Sequence, residues 1–448
     1  MSSAELTPAS PKGPRFDPLL IVRYLRDPVK CYQGLAEKFG DPFTVPFQGK
    51  QFVITGDPDG VKDIFTASPR TFGDMDMGTE LTLGENSLLV TSGEAHERAR
   101  RILNPAFGAS RMSAYGPLIE AAALEVFSRI PAGQPTTAMA WTQLVSMEVI
   151  LKTVLGIADG REIAEFVECF KRFQGDAGFW ITFFPFLRRD LGAWSPWRRF
   201  TQARQALHDK MDEQIAARRK PEDFAGRHCM LAQMARRKEQ DPDKSFTDAE
   251  IRDHLFTILM AGHESAASGL AWGIYWLHRH PEIRARLLAE LDEKAPPGDF
   301  DALAGLPYLD AVCKETLRIH PVIPDVARRL AVPFSLKGHR VEAGSVLVAS
   351  VNLAHHRPDL YPEPDRFRPE RFLERSFSQY EYFPFGGGGH YCLGRGLGML
   401  ELKIGLAAII RNFELDVDTR HPVRPAWNNA VRSPKGGVKM TVRGRRPA

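Results

Sequence analysis

The sequence predicts a mainly α-helical chain with small β-sheets, an α+β arrangement, on three observations. Helical periodicity runs from about Ser92 to Leu330. β-rich stretches flank it, at Pro42–Gly56 and Val332–Ser350. One helical pattern begins at Thr247 and meets no proline until Pro281. About 33 residues at about 1.5 Å each give a helix of about 50 Å, long enough to cross a whole domain.

The elements follow in chain order. Residues 1–15, rich in Pro, Ser and Lys, read as a disordered N-terminal tail, and residues 16–448 as a single domain. In "PFTVPFQGKQFVITG" two β-rich runs flank Gln48-Gly49-Lys50, a hairpin signal. "GEAHERARR", which carries His96 and Arg100, reads by itself as a solvated charged helix face. The long helix opens with Thr247 and Glu250 in a capping box, then Ile251, Leu255, Ile258 and Leu259 at helical spacing. Its centre, "AGHESAAS" (Ala261–Ser268), holds a glycine and two serines, poor interior choices because serine competes for backbone bonds. A helix weakened there marks a candidate site. "LPYLDAVCKETLRIHP" is a second helix, begun by Pro307 and ended at His320-Pro321, with Glu315 and Arg318 on one face. "HRPDLYPEPDRFRPERF" is too rich in proline and polar residues for a helix or strand and reads as a structured loop. After Cys392 a third helix carries the stripe Leu393, Leu397, Leu400, Ile404 and Ala408, with Arg395, Lys403 and Arg411 on other faces. No 20–50-residue period repeats.

Composition narrows the function. Of 448 residues, 43% are hydrophobic and 25% charged, which suits a soluble globular chain with a large core. A net charge of +4 is too mild for a nucleic-acid partner. The five cysteines are scattered and lack CxxC spacing, against both a disulfide framework and structural zinc. The longest N-terminal apolar run, Leu19–Val22, is far short of a signal segment or transmembrane span, so the expected location is cytoplasmic.

The most informative stretch is "FPFGGGGHYCLG" (Phe383–Gly394). Cys392 stands where a glycine loop becomes a helix. Free N–H groups and the partial positive charge of a helix start stabilise a thiolate. Glycines allow positive φ and let backbone approach a flat ligand, while Phe383 and Phe385 shield the sulfur from water. A buried cysteine after a flexible loop is the plainer reading of these residues alone, and a cysteine–histidine hydrolase using His390 also stays open. A zinc protease fails because position 267 is alanine, and a phosphate loop fails because no lysine follows the glycines. Singly, Glu315/Arg318 and Glu264/Ser265 read as ordinary polar helix faces. Their order and spacing together carry more.

On these motifs the chain resembles the cytochrome P-450 superfamily of haem-thiolate monooxygenases, from about Phe16 to Val442. Phe385, Gly388, His390, Cys392 and Gly394 match the pattern Phe-x-x-Gly-x-[Arg/His]-x-Cys-x-Gly. Glu315 and Arg318 match Glu-x-x-Arg, and Arg371 in "RPERF" is its expected partner. Ala261-Gly262-His263-Glu264-Ser265 matches the oxygen-binding helix.

The resemblance implies a fold in which that helix lies over haem and the cysteine loop beneath it. Haem b (iron protoporphyrin IX) would be the cofactor, with Cys392 as axial thiolate ligand. His96, Arg100, Arg328 and His390 would hold the haem propionates, Arg329 being the alternative to Arg328. Glu315, Arg318 and Arg371 would form a structural charge network. Glu264 and Ser265 would relay protons, with serine where threonine is commoner; losing the methyl loosens the rotamer and, by expectation, the coupling of oxygen use to product.

The implied reaction inserts one oxygen atom from O₂ into a C–H or C=C bond. Electrons would come from a separate ferredoxin or flavodoxin plus reductase, docking near the cysteine loop, where Arg395 and Lys403 are candidate contacts and read equally as bystander surface charges. The aromatic "GFWITFFPFL" (Gly178–Leu187) suggests a greasy entrance and a lipophilic substrate such as a fatty acid or terpenoid, and reads equally as core packing or a membrane-touching patch. The loop around Met75–Leu89, the helix face near Ala261, and Val322–Val326 would line the pocket. The expected state is a monomer. A peroxide-driven peroxygenase and a non-catalytic haem-binding protein are the alternatives; the Glu264/Ser265 pair argues against both.

Overall fold

The computed structural model describes residues 10–15, 17–47, 49–74, 80–175, 181, 187–192, 194–219, 229–236 and 245–446. Helices dominate, and their starts follow a local rule. Asp17-Pro18, Asp27-Pro28, Asp57-Pro58 and Ser195-Pro196 each place an oxygen-bearing cap before a proline that needs no N–H partner. These caps open the helices Pro18–Arg26, Pro28–Phe39, Pro58–Thr66 and Pro196–Arg218.

The chain divides into two compact units. The first comprises Met1–Gly73, Phe127–Thr142 and Ala267–Ala448 and holds every strand among the described residues. Its main sheet is built from β1 (Phe43–Phe47), β2 (Lys50–Thr55), β3 (Phe72–Gly73), β5 (Asp325–Leu330) and β8 (Val346–Ser350); β4 (Pro135–Thr137) lies elsewhere. The order is β1-β2-β8-β5-β3. β2 and β8 run parallel, with Phe52 opposite Val346, and the other pairs are antiparallel. All five residues of β8 are buried, as a central strand covered on both faces requires. Val53, Leu330, Leu347 and Ala349 join Ile64, Phe65 and Phe383 in one apolar cluster. Smaller sheets pair β6 (Phe334–Leu336) with β7 (His339–Val341), β10 (Pro425–Asn428) with β11 (Val431–Pro434), and β4 with β12 (Lys439–Arg445) and β9 (Phe413–Val417).

The second unit, Asp74–Val126 and Gln143–Ala266, is helical among the described residues. It holds Gly93–Leu103, Gly160–Gly175, Pro196–Arg218 and the first part of the long helix Asp248–Arg279. That helix has 32 residues and begins at the expected capping box. Glu250 N–H donates to Thr247 Oγ1 (3.2 Å), and Thr247 N–H donates to Glu250 Oε2 (2.8 Å).

Some expectations change. β4 and β5 fall inside the span read as helical, because their strand state comes from distant partners: β5 from β8 and β3, β4 from β12. The long helix is unbroken through Ala261–Ser268. Ser265 Oγ donates to Ala261 O (2.7 Å), satisfying itself without displacing the ladder. Residues 1–9 lie outside the described residues. Pro11 O and Lys12 O accept from Thr44 Oγ1 (2.8 Å) and Thr44 N–H (2.9 Å), so part of the stretch expected as a tail is held to β1. The aromatic segment 178–187 is described only at Ile181 and Leu187, and the loop 75–89 only from residue 80.

Candidate active site

The first unit presents the cysteine. Cys392 is exposed, against the expected shielding by Phe383 and Phe385, whereas the other four cysteines are buried or half-buried; Phe383 packs on Phe65 instead. Its N–H donates to Phe385 O (2.9 Å), and Gly386 N–H donates to Phe383 O (2.9 Å), so Phe383–Cys392 closes on itself. Gly394 is the N-cap of the helix Arg395–Asn412, which puts the sulfur at that helix's positive end. That helix is seated firmly: a Cβ on Gly405 would lie 3.1 Å from Leu270 Cδ2 on the long helix.

The four glycines serve different ends. Gly386 and Gly388 have φ of +69° and +67°. A Cβ on Gly387 would fall 2.2 Å from the Phe65 ring, and one on Gly388 would fall 2.7 Å from Phe65 O. The loop is therefore bare first to lie against the helix Pro58–Thr66, whose Phe65 packs edge-on to Phe383 at 5.4 Å. Only Gly389, exposed, with nothing within 4 Å of its Cβ, matches the expectation of backbone left open for a ligand.

A buried charge network brings Glu315, Arg318 and Arg371 together. Glu315 and Arg318 are fully buried and Arg371 nearly so. Glu315 accepts from Arg318 Nε (2.6 Å) and Nη2 (2.9 Å), Arg371 Nε (3.0 Å) and Arg368 N–H (2.8 Å). Arg318 also reaches His355 O (2.9 Å) and Pro364 O (2.8 Å), and Arg371 reaches Pro362 O (3.2 Å). This satisfaction is what a buried charged group requires. Burial pushes the Arg371 guanidinium down in pKa, against the pull of Glu315.

Strand parity separates Arg328 from Arg329. Side chains alternate along β5, so Val326, Arg328 and Leu330 share a face. Leu330 lies in the Phe65/Phe383 cluster and Val326 packs on it; Val326 also lies 3.6 Å from a Cβ placed on Gly386. Arg328 therefore points to the cysteine-loop side and Arg329 away. Arg328 donates to Ala327 O (2.8 Å), no carboxylate among the described residues pairs with it, and burial pushes its pKa down to about 10. His390, beside the cysteine, is half-buried.

Lys403 corrects an expectation. Its ammonium bonds Asp310 (2.7 Å) on Pro307–Ile319 and Ala304 O (2.8 Å) on Phe300–Gly305, so it ties its own helix to two others and is not a surface docking charge. Arg395 is exposed.

The second unit carries the remaining candidates. His96 and Arg100 are both buried, on one face of Gly93–Leu103. On the long helix Ala261 is exposed and Ile258, Gly262 and Ser265 are half-buried, while Leu259, His263 and Glu264 are buried. The spacing 258, 261, 262, 265 is one helical stripe of small or apolar residues, accessible on a helix otherwise largely buried. Gly262 also has a packing reason, since its Cβ would lie 2.9 Å from Ile150 Cδ1. Glu264 accepts from Gln174 Nε2 (3.0 Å), and His263 packs edge-on to Phe170 at 5.2 Å. Burial pushes His263 down to about 4, leaving it neutral. Within the same unit Asp253 accepts from Asn86 N–H (3.2 Å) and Nδ2 (2.8 Å), and Thr257 Oγ1 bonds Ser87 Oγ (2.7 Å), fixing residues 86 and 87 on the long helix.

Sequence reasoning missed Phe65, Gln174 and His355, none of which belongs to a motif.

The donor set of the first unit fits haem: one accessible thiol at a helix N-terminus and an Arg328 guanidinium free of carboxylates among the described residues. Such a fold and site define a haem-thiolate protein. The chain belongs to the cytochrome P450 family, whose model matches residues 8–441. It is 33% identical to putative cytochrome P450 135B1 of Mycobacterium tuberculosis (strain ATCC 25618 / H37Rv) over 444 residues, 97% of this chain and 92% of the relative. It is 31% identical to putative cytochrome P450 135A1 of the same strain, over 98% of this chain and 96% of the relative. Among solved structures, retinoic acid-bound cyanobacterial CYP120A1 aligns with a TM-score of 0.82 at 23% identity, covering 98% of this chain and 99% of that one. The cytochrome P450DA heme domain aligns at 0.83 and 22%, covering 99% of each. The protein is thus a haem b monooxygenase, an oxidoreductase that uses O₂.

Among the described residues one helical stretch, Ala138–Leu155, is long and apolar enough to cross a membrane, and 72% of it is buried inside the protein.

Proposed function

We propose that this monooxygenase oxidises a C–H or C=C bond of a lipophilic small molecule, a fatty acid, terpenoid or similar, with electrons from a separate ferredoxin or flavodoxin and its reductase. The observation that carries the substrate class is the stripe Ile258, Ala261, Gly262 and Ser265, a face with no charge to pair a polar substrate. The structural relative bound to retinoic acid, itself lipophilic, supports the same class. Within these 448 residues no flavin or iron–sulfur motif appears, which supports an external donor. Residues 16–448 act as one functional domain, monomeric and cytoplasmic.

Cys392 would hold the haem iron, and its thiolate would supply the electron donation that favours oxygen activation. Arg328 and His390, with His96 and Arg100, neutralise the propionates. Phe385, Gly388, Gly394 and Ala261 shape the cofactor's surroundings. Glu264, held by Gln174, and Ser265, whose hydroxyl bonds the Ala261 carbonyl, would supply the protons the reaction consumes.

The test is a spectral titration of the haem-loaded protein with fatty acids, terpenoids and hydrophilic controls. Saturable shifts with the lipophilic compounds alone are expected; shifts with only hydrophilic ones refute the substrate class. Cys392→Ala should abolish the red-displaced band of the reduced carbon monoxide complex. Ser265→Ala should raise peroxide release at similar NADPH consumption, and unchanged coupling would count against its role.

A further inference from the structure

The cysteine loop and the buried charge network meet at one residue. His355 ends the short helix Val351–His355 that follows β8, and it is fully buried. Its carbonyl accepts from Arg318 Nη1 (2.9 Å). Its ring Nε2 accepts the backbone N–H of Phe383 (3.1 Å). The ring lies nearly parallel to Tyr382, at 5.2 Å and 13°, and edge-on to Phe383 at 5.4 Å. Tyr382 is tied in turn by its hydroxyl to Lys314 O (3.0 Å). An Nε2 that accepts bears no proton, so this bond assigns the Nδ1–H tautomer. Burial and the Arg318 charge push the ring well below the usual histidine range, which keeps it neutral.

From Phe383 the constraint runs onward. Gly386 N–H closes on Phe383 O, and Cys392 N–H closes on Phe385 O. A shift of the Phe383 backbone therefore carries the cysteine with it.

We propose that His355 is the positioning residue of the thiolate loop: its imidazole fixes the Phe383 backbone against the Glu315–Arg318 pair and so sets where the Cys392 sulfur stands. This rests on Cys392 being the haem ligand. A buried amide robbed of its acceptor is disfavoured by roughly tenfold or more, so the loop would populate displaced arrangements.

Three variants of the haem-loaded protein test it. His355→Phe keeps a ring against Tyr382 and removes the acceptor. His355→Gln carries an oxygen about where Nε2 stands, and His355→Asn one only as far out as Nδ1. The readouts are the fraction of the reduced carbon monoxide complex with the red-displaced band, the haem release rate to an excess scavenger, and the midpoint potential. The Phe and Asn variants should release haem about tenfold faster, convert a large share of the band to the unshifted form and move the potential. Gln should stay within about twofold of the parent. A Phe variant with the parent's band and release rate overturns the proposal. Should Phe fail to fold, equal behaviour of Gln and Asn overturns it. Cys392→Ala is the control: a red-displaced band surviving there would sink the thiolate assignment itself, a result separate from failure of the His355 series.

Discussion

Alanine placed singly at each of the four loop glycines gives a graded test of what the loop is shaped by. At Gly388 the φ of +67° costs an L-residue about 1–2 kcal/mol. Its Cβ would also meet Phe65 O at 2.7 Å, a helix backbone atom with no room to swing, adding about 1–3 kcal/mol of overpacking. Gly388→Ala should thus lose about 2–5 kcal/mol, a large share of a typical domain's stability. Gly387 has extended backbone, so its substitution carries only the clash, 2.2 Å from a Phe65 ring that Phe383 holds in place, about 1–3 kcal/mol. Gly386 carries only the φ of +69°, about 1–2 kcal/mol, since its nearest neighbour, Val326, stands at an ordinary 3.6 Å. Gly389 carries neither penalty, and alanine there should be neutral or stabilise by up to about 1 kcal/mol through the unfolded state. Urea unfolding of the haem-free protein, followed by circular dichroism, reads the chain's own contacts. The expected order of loss is 388, then 387 and 386, then 389. Four equal losses, or 389 as damaging as 388, would refute the claim that Phe65 and backbone handedness dictate the glycines.

Two further outcomes follow from the buried charges. Glu315→Ala strands Arg318 and Arg371 without their carboxylate and should cost about 3–5 kcal/mol in urea unfolding, more than Arg371→Ala, which leaves the two-pronged Arg318–Glu315 pair intact; the reverse order would refute the network's hierarchy. His263, held to about 4 by burial, stays neutral in the fold, while an unfolded histidine binds a proton near 6.5. Its contribution is complete above about pH 6.5 and is lost as pH falls toward about 4, up to about 3 kcal/mol. His263→Phe, which keeps a ring against Phe170, should flatten the stability–pH slope across that window, and an unchanged slope would show that other groups set it.

What was legible in the sequence was local. The capping box at Thr247 and Glu250, the hairpin at Gly49 and the cysteine loop all depend on residues within a few positions of one another. What was illegible depends on distant neighbours. "DVARRL" shows two adjacent arginines and no alternation; it becomes β5 because β8 and β3 flank it, and only that parity tells Arg328 from Arg329. Lys403 looked like a solvent charge until Asp310, from another helix, took it up. Gly387 and Gly388 looked like room for a ligand until Phe65 was found beside them. His355 has no signature because its role is an imidazole nitrogen meeting an amide from a remote loop.

The parallel pairing of β2 with β8 joins segments made far apart in time. Roughly 290 residues separate Phe52 from Val346, which at about 5–20 residues per second leaves the amino-terminal hairpin waiting about 15–60 s on the ribosome for its neighbour. Throughout that interval the outer margin of β2 is an open seam able to zip onto a strand of another nascent chain. Heterologous yield should therefore respond to translation speed and chaperone supply more than to the strength of the finished core.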